Sequence, residues 1–151
     1  MNERAKEILT TVSIETLKHL AFIFLSPEEE NNGLMSDSMA VGISFSGPFS
    51  GSLVLKMSPV IVLELTSNML GIDEDRVTTE QQYDAMKETI NVICGNLLPA
   101  ISGNQVIFHI DVPEIVGKEN NIEEKAEALA KLSVDDEQCE CYLFVDGDLP
   151  L

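Results

Sequence analysis

Residues Thr79 to Gly103 read TEQQYDAMKETINVICGNLLPAISG, the longest helical pattern in the chain. Apolar side chains recur at Tyr83, Met86, Ile90, Ile93, Cys94, Leu97 and Ile101, the i, i+3, i+4, i+7 rhythm that turns one stripe of a helix toward a core. Either Thr78 or Thr79 can act as N-cap, each with a glutamine three residues on, Gln81 or Gln82, which is the spacing of a capping box. Gly103 is placed to end the helix.

The opposite side of this helix is the informative one. At about 100° per residue, Asp84, Glu88, Asn91 and Gly95 fall within roughly a 60° sector away from the apolar stripe. A carboxylate and a carboxamide three residues apart are surface neighbours, so Glu88 and Asn91 can act on one object together. Gly95 lies one turn further on and costs about 1 kcal/mol of helix stability relative to alanine. Pro99, a turn beyond, cannot donate to the Gly95 carbonyl and should bend the helix or leave that carbonyl free. Two helix-weakening residues on one stripe are more readily tolerated where something must approach the backbone. Exposed Glu and Asn are also common on helices, so a solvated face with a local kink is the plain alternative.

The segment DAMKETINVICGNLLPAI resembles the signature helix of the CheC/CheX/FliY phosphatases of bacterial chemotaxis, and most closely the CheX-like branch. The family pattern is an acidic or serine residue, three others, Glu, two others, Asn. Asp84, Glu88 and Asn91 match it, and the frequent Gly-Asn follows as Gly95-Asn96. CheC-type members place a proline after twenty-two intervening residues, whereas here Pro113 follows Asn91 after twenty-one. The likeness extends to GSLVLKMSPVIVLELTSNMLG ahead of the helix and VIFHIDVPEIVGK behind it, covering residues 38 to 118 or so. CheC-type relatives carry two motif helices; this chain carries one, as CheX-type members do. Glu64 and Asn68 are four apart and do not have the motif spacing.

A length of 151 residues fits one domain with a sizeable core. Hydrophobic content of 44% and a mean hydropathy of +0.09 are those of a globular chain. Against 9 Lys+Arg stand 26 Asp+Glu, a net charge of −17, and such a field repels phosphate backbones and anionic lipid. Nucleic acid and membrane surfaces are therefore poor partners. Three cysteines, an odd number, without a secretory leader point to a reducing, cytoplasmic setting. The run Leu20 to Leu25 is too short to span a membrane. Cys139 and Cys141 alternate on one face of a strand pattern with no histidine near enough in sequence to complete a metal set, so buried thiols are expected.

Along the chain, Asn2 to Leu20 reads as a helix with apolar positions at Ile8, Val12, Leu17 and Leu20, and with Ala5, Leu9, Thr16 and Ile14 nearby. Ala21 to Leu25 reads as a strand, followed by an acidic run and a turn at Asn31-Asn32-Gly33. Met39 to Ser46 and Ser50 to Met57 form a hairpin across Gly47-Pro48. Pro59 to Leu70 is a second helix, capped by Ser58 and stopped by Gly71. After an acidic linker, Ile72 to Val77, and the long helix, Val106 to Ile110 reads as a strand and EIVGK as a short one beyond Pro113. Asn121 to Leu132 is helix-compatible, and Gln138 to Val145 is a last strand. His19 and His109 stand without a partner at a diagnostic spacing and read as structural. The order implies an α+β fold. The resemblance adds an antiparallel β-sheet with two long helices packed across one face, and association as a homodimer.

The sequence holds no P-loop, no dinucleotide-binding glycine pattern and no metalloprotease motif. What remains is chemistry that needs positioned polar groups and takes the rest from its substrate. The resemblance implies a phosphatase of the aspartyl phosphate on a CheY-like receiver domain, with no cofactor of its own and Mg²⁺ supplied by the receiver. It implies that Asn91 inserts into the receiver site and places the attacking water, and that Glu88 pairs with a receiver lysine. Asp84 matches the first motif position as a partner-binding residue, and Gly95, on its position in the stripe, leaves room for the partner. A non-catalytic receiver-binding or assembly module, or a structural dimer with a merely wet helix face, would carry the same helix.

Overall fold

The computed structural model describes residues 2–28, 37–117 and 125–151. Val41, Ile43 and Phe45 alternate with smaller or polar residues, so β2 (Met39–Ser46) buries one face as it pairs with β3 (Ser50–Met57). The hairpin runs in register from Met39 opposite Met57 to Phe45 opposite Gly51. β3 pairs in turn with β7 (Glu137–Asp146), β7 with β6 (Ala128–Val134), and β6 with the two-residue β1 (Ser26–Pro27), every pairing antiparallel. Two short strands, β4 (His109–Ile110) and β5 (Glu114–Ile115), line the far edge of β2.

Three helices share the inner face: α1 (Glu3–Ala21), α2 (Pro59–Leu70) and α3 (Thr79–Ser102). Val41, Leu53, Leu55, Ala130, Leu132, Cys139 and Cys141 meet Leu9, Leu17, Ile61, Leu65, Ile90, Ile93 and Leu97 in one core. Among the described residues the outer face carries a small cluster around Val54, Leu129 and Tyr142. The expected antiparallel sheet crossed by two long helices is present, with the shorter α2 beside them.

Four local readings change. Ala21 closes α1 instead of opening a strand, and Phe22 takes the left-handed conformation (φ 55°) with its N–H on the Lys18 carbonyl at 3.0 Å. Residues 22–25 alternate, Ile23 and Leu25 inward and Phe22 and Phe24 outward, but they bridge helix to sheet and only Ser26–Pro27 join the ladder. In α1 the buried stripe is Ala5, Leu9, Ser13, Thr16, Leu17 and Ala21, while Ile8, Val12 and Leu20 lie half-buried at its margin. α1 packs on β6, whose inward Ala128 and Ala130 are small, so small residues such as Ala5, Ser13 and Ala21 share the buried stripe with Leu9 and Leu17.

The expected helix at 121–132 is replaced over 128–132 by β6; residues 121–124 lie outside the described part, as does the turn expected at 31–33. Ala, Lys and Leu favour helix, yet Ala128, Ala130 and Leu132 are the inward face of a strand paired on both sides. Tertiary pairing overrides propensity there. The β6–β7 turn places Asp135 and Asp136 at φ 50° and 65°, which short polar side chains tolerate best after glycine. The strand expected over 106–110 shrinks to His109–Ile110, because β2 ends at Ser46, opposite His109.

Cys94, Cys139 and Cys141 are free and fully buried. Burial pushes the Cys94 and Cys141 thiols up to about 12 and raises Cys139 as well. These thiols should therefore resist Ellman's reagent at pH 8 until the protein unfolds. A raised thiol pKa stabilises the fold fully below the unfolded value, near 8.5, and that stability is lost as pH climbs toward 12. Urea midpoints should thus fall between pH 8 and pH 10; equal labelling rates in folded and unfolded protein would contradict the burial.

Candidate functional site

The long helix begins as its sequence dictates. Thr78 is the N-cap: its hydroxyl accepts the Gln81 N–H at 3.1 Å, and Gln81 Oε1 accepts the Thr78 N–H at 2.9 Å. Met86, Ile90, Ile93, Cys94 and Leu97 are wholly buried beneath it, with Tyr83 half-buried and packed against the core. That seat fixes the rotation of the helix. Asp84, Glu88, Asn91 and Gly95 all face outward, the relation expected from their spacing. The helix runs on through Pro99 to Ser102, where the Gly103 N–H reaches the Pro99 carbonyl at 2.8 Å.

Gly95 has no packing reason to be glycine. A methyl group built there would meet nothing within 4 Å, and its backbone is helical. Gly95→Ala should consequently stabilise the chain by about 1 kcal/mol, read as a higher urea midpoint. If the space serves an approaching partner, the same variant should lose activity while gaining stability.

The second wall of the site was not legible in the sequence. Ile110 faces Phe45, and Glu114 faces Gly42. Three steps along β2 therefore match four along the edge strand, so β4 and β5 are one strand carrying a one-residue β-bulge. The bulge contains Pro113, which lacks a ladder N–H and is tolerated at an edge or a bulge. Asp111 N–H still bonds the Ser44 carbonyl at 2.9 Å. Ile110, Asp111, Val112 and Pro113 then border an open depression of about 370 Å³ whose other wall is Asp84, Lys87, Glu88 and Asn91. Pro113 thus lies beside the three matched polar residues despite its shortened spacing.

The depression is acidic, with Asp84, Glu88 and Asp111 on its rim and Lys87 as its cation. Val112 adds an apolar lip, 81% exposed. Lys87 was not singled out by sequence, although it stands three residues after Asp84 and four before Asn91. Such an arrangement suits recognition of a charged protein surface and placement of a small group such as water. Among the described residues, no group of three or more His, Cys, Asp or Glu is placed to hold a metal ion.

Other polar candidates have local employment. Asn68 Nδ2 donates to the Ala21 carbonyl at 2.7 Å, tying α2 to the end of α1, which gives the Glu64/Asn68 pair a structural member. His109 Nε2 lies 3.0 Å from Asp111 Oδ1, and His19 Nε2 lies 3.2 Å from Glu15 Oε2, both at the surface. His109 is more exposed than a packed strand histidine would be. No helix among the described residues is long and apolar enough to cross a membrane.

The sequence model of the family described as chemotaxis phosphatase CheX matches residues 39–138, a span holding β2 to the start of β7 and the whole of α3. Among solved structures, the chain is similar to chemotaxis protein CheX from Vibrio vulnificus at 19% identity and a TM-score of 0.76, covering 95% of this chain and 99% of that one. CheX from Desulfovibrio desulfuricans gives 16% identity and a TM-score of 0.71 over 95% and 99% of the two chains. The CheX–CheY–BeF3–Mg complex from Borrelia burgdorferi gives 18% identity and a TM-score of 0.67 over 93% and 97%. At these identities the likenesses establish the fold. No curated protein sequence matches the chain.

Proposed function

The chain belongs to the CheX family of chemotaxis phosphatases, and from that premise we propose that it hydrolyses the aspartyl phosphate of a CheY-like response-regulator receiver domain. The observation that carries this reading is that Glu88 and Asn91 stand together on the exposed face of a firmly seated helix, forming one wall of a groove whose other wall is the Asp111–Pro113 bulge. The similar complex from Borrelia burgdorferi joins a CheX to a CheY with BeF3 and Mg, which supports a receiver as the partner.

In this reading α3 docks across the receiver's phosphorylation site. Asn91 both donates and accepts hydrogen bonds without carrying charge, so it can hold a water in line with phosphorus and not repel the phosphoryl group. Glu88 would repel that group if aimed at it, and instead pairs with a receiver lysine. Asp84 contacts the partner one turn earlier, and Gly95 leaves room for it one turn later. The water oxygen bonds to phosphorus as the phosphorus–acyl oxygen bond breaks. The electron pair returns to the receiver carboxylate, and both water protons leave with inorganic phosphate. Mg²⁺ held by the receiver would neutralise charge building on the phosphoryl oxygens; this chain's part is placement.

The same reading takes the protein as a homodimer, a state supported by the resemblance and by Phe22 and Phe24, which stand exposed beside the edge strand β1. Light scattering tests that point. The function is tested by the decay of radiolabelled phosphate on CheY-like receivers from the same organism. Acceleration by catalytic amounts of this protein is expected. Unchanged decay across several receivers, with phosphate-dependent binding intact, would replace the enzyme by a receiver-binding module.

A further inference from the structure

Lys87 lines the groove with Asp84, Glu88 and Asn91, and no assigned role accounts for it. It stands one turn before Asn91 on the same helix, so its base is a neighbour of the carboxamide. Lys87 is half-buried while Asp84, Glu88 and Asn91 are exposed. Three carboxylates share the depression, those of Asp84, Glu88 and Asp111. Yet Lys87 takes no part in the contacts Arg4–Glu7, Glu15–His19 and His109–Asp111 seen among the described residues. In a chain of net charge −17, a lysine with no ion-pair partner among the described residues leaves its ammonium available to whatever enters the groove.

A phosphorylated receiver brings about two negative charges to this place, and Asp84, Glu88 and Asp111 oppose them. Opposite charges attract most strongly at short range near a protein surface, so one cation beside the phosphoryl group eases an approach that the carboxylates oppose. Water held by Asn91 lies on the axis of attack, leaving the three phosphoryl oxygens spread around that axis. A flexible ammonium one turn away reaches such an oxygen from the side. We infer that Lys87 is the phosphoryl-facing cation of the groove, contacting an oxygen of the receiver's acyl phosphate and offsetting the neighbouring carboxylates. This rests on the phosphatase reading above.

The test compares wild type, Lys87→Met, Lys87→Arg and Asn91→Ala on one phosphorylated receiver at low and high salt, together with binding to that receiver with and without beryllofluoride. Lys87→Met should lower kcat/KM by about 100-fold, the lower end of what a lost charge-stabilising donor costs. It should also flatten the salt dependence and weaken binding only to the beryllofluoride form. Lys87→Arg should recover most of the activity, and both variants should melt like wild type. Lys87→Met within twofold of wild type, while Asn91→Ala is inactive, overturns the inference and leaves the phosphatase reading standing. Equal weakening toward both receiver forms, or no recovery by arginine, overturns it too. An inactive wild type overturns the phosphatase reading itself.

Discussion

Asn91→Ala is expected to remove receiver dephosphorylation, lowering the single-turnover rate by about 100-fold or more, with no loss of stability. The side chain is exposed and makes no hydrogen bond within the described chain, so its removal leaves no buried group unsatisfied. Alanine is also the better helix former. On the proposed reading, what disappears is the neutral donor and acceptor that would fix the attacking water. Glu88→Ala should act differently. If Glu88 docks the helix through a receiver lysine, its loss should raise KM and lower kcat together, because the helix both binds and places Asn91. The readout is phosphate release under single-turnover conditions, with circular dichroism melts run in parallel. If Asn91→Ala turned over at the wild-type rate, α3 would not be the catalytic surface.

Ile90→Ala is expected to produce the opposite pattern one residue away. Ile90 is wholly buried in the core beneath α3, and truncation of such a side chain costs about 2–5 kcal/mol through lost transfer energy and a residual cavity. A loss near 3 kcal/mol corresponds to a fall in Tm of roughly 10 °C for a chain of this size. Activity per folded molecule should change far less than in Asn91→Ala, because the polar face is untouched. The two variants together separate the functions of the two sides of one helix. A melting point for Ile90→Ala within 2 °C of wild type, roughly 0.5–1 kcal/mol, would mean that α3 does not seat on the sheet as described.

The helix α3 was legible because its signals are local. A capping box, a 3.6-residue apolar period and a terminal glycine each act within a few residues, and together they fix which side faces out. The same holds for the β2–β3 hairpin, where Gly47-Pro48 marks the turn and Val41, Ile43 and Phe45 alternate inward, and for α2 between Ser58 and Gly71. Asp84, Glu88, Asn91 and Gly95 could therefore be placed on one exposed stripe before any tertiary contact was known.

The remainder depended on partners distant in sequence. Ala128 to Leu132 has helical composition, and only pairing with β7 on one side and β1 on the other makes it a strand. The buried face of α1 combines Leu9 and Leu17 with small residues that fit against β6, and leaves Ile8, Val12 and Leu20 at its margin. The second wall of the groove exists because β4 and β5 meet β2 one residue out of step, which requires the register of three segments at once. Local chemistry thus wrote the polar stripe of α3 into the sequence, while non-local pairing decided what stands opposite it. That pairing brought Asp111, Val112 and Pro113 across from Glu88 and Asn91, and it made Lys87 part of a groove instead of one more exposed lysine.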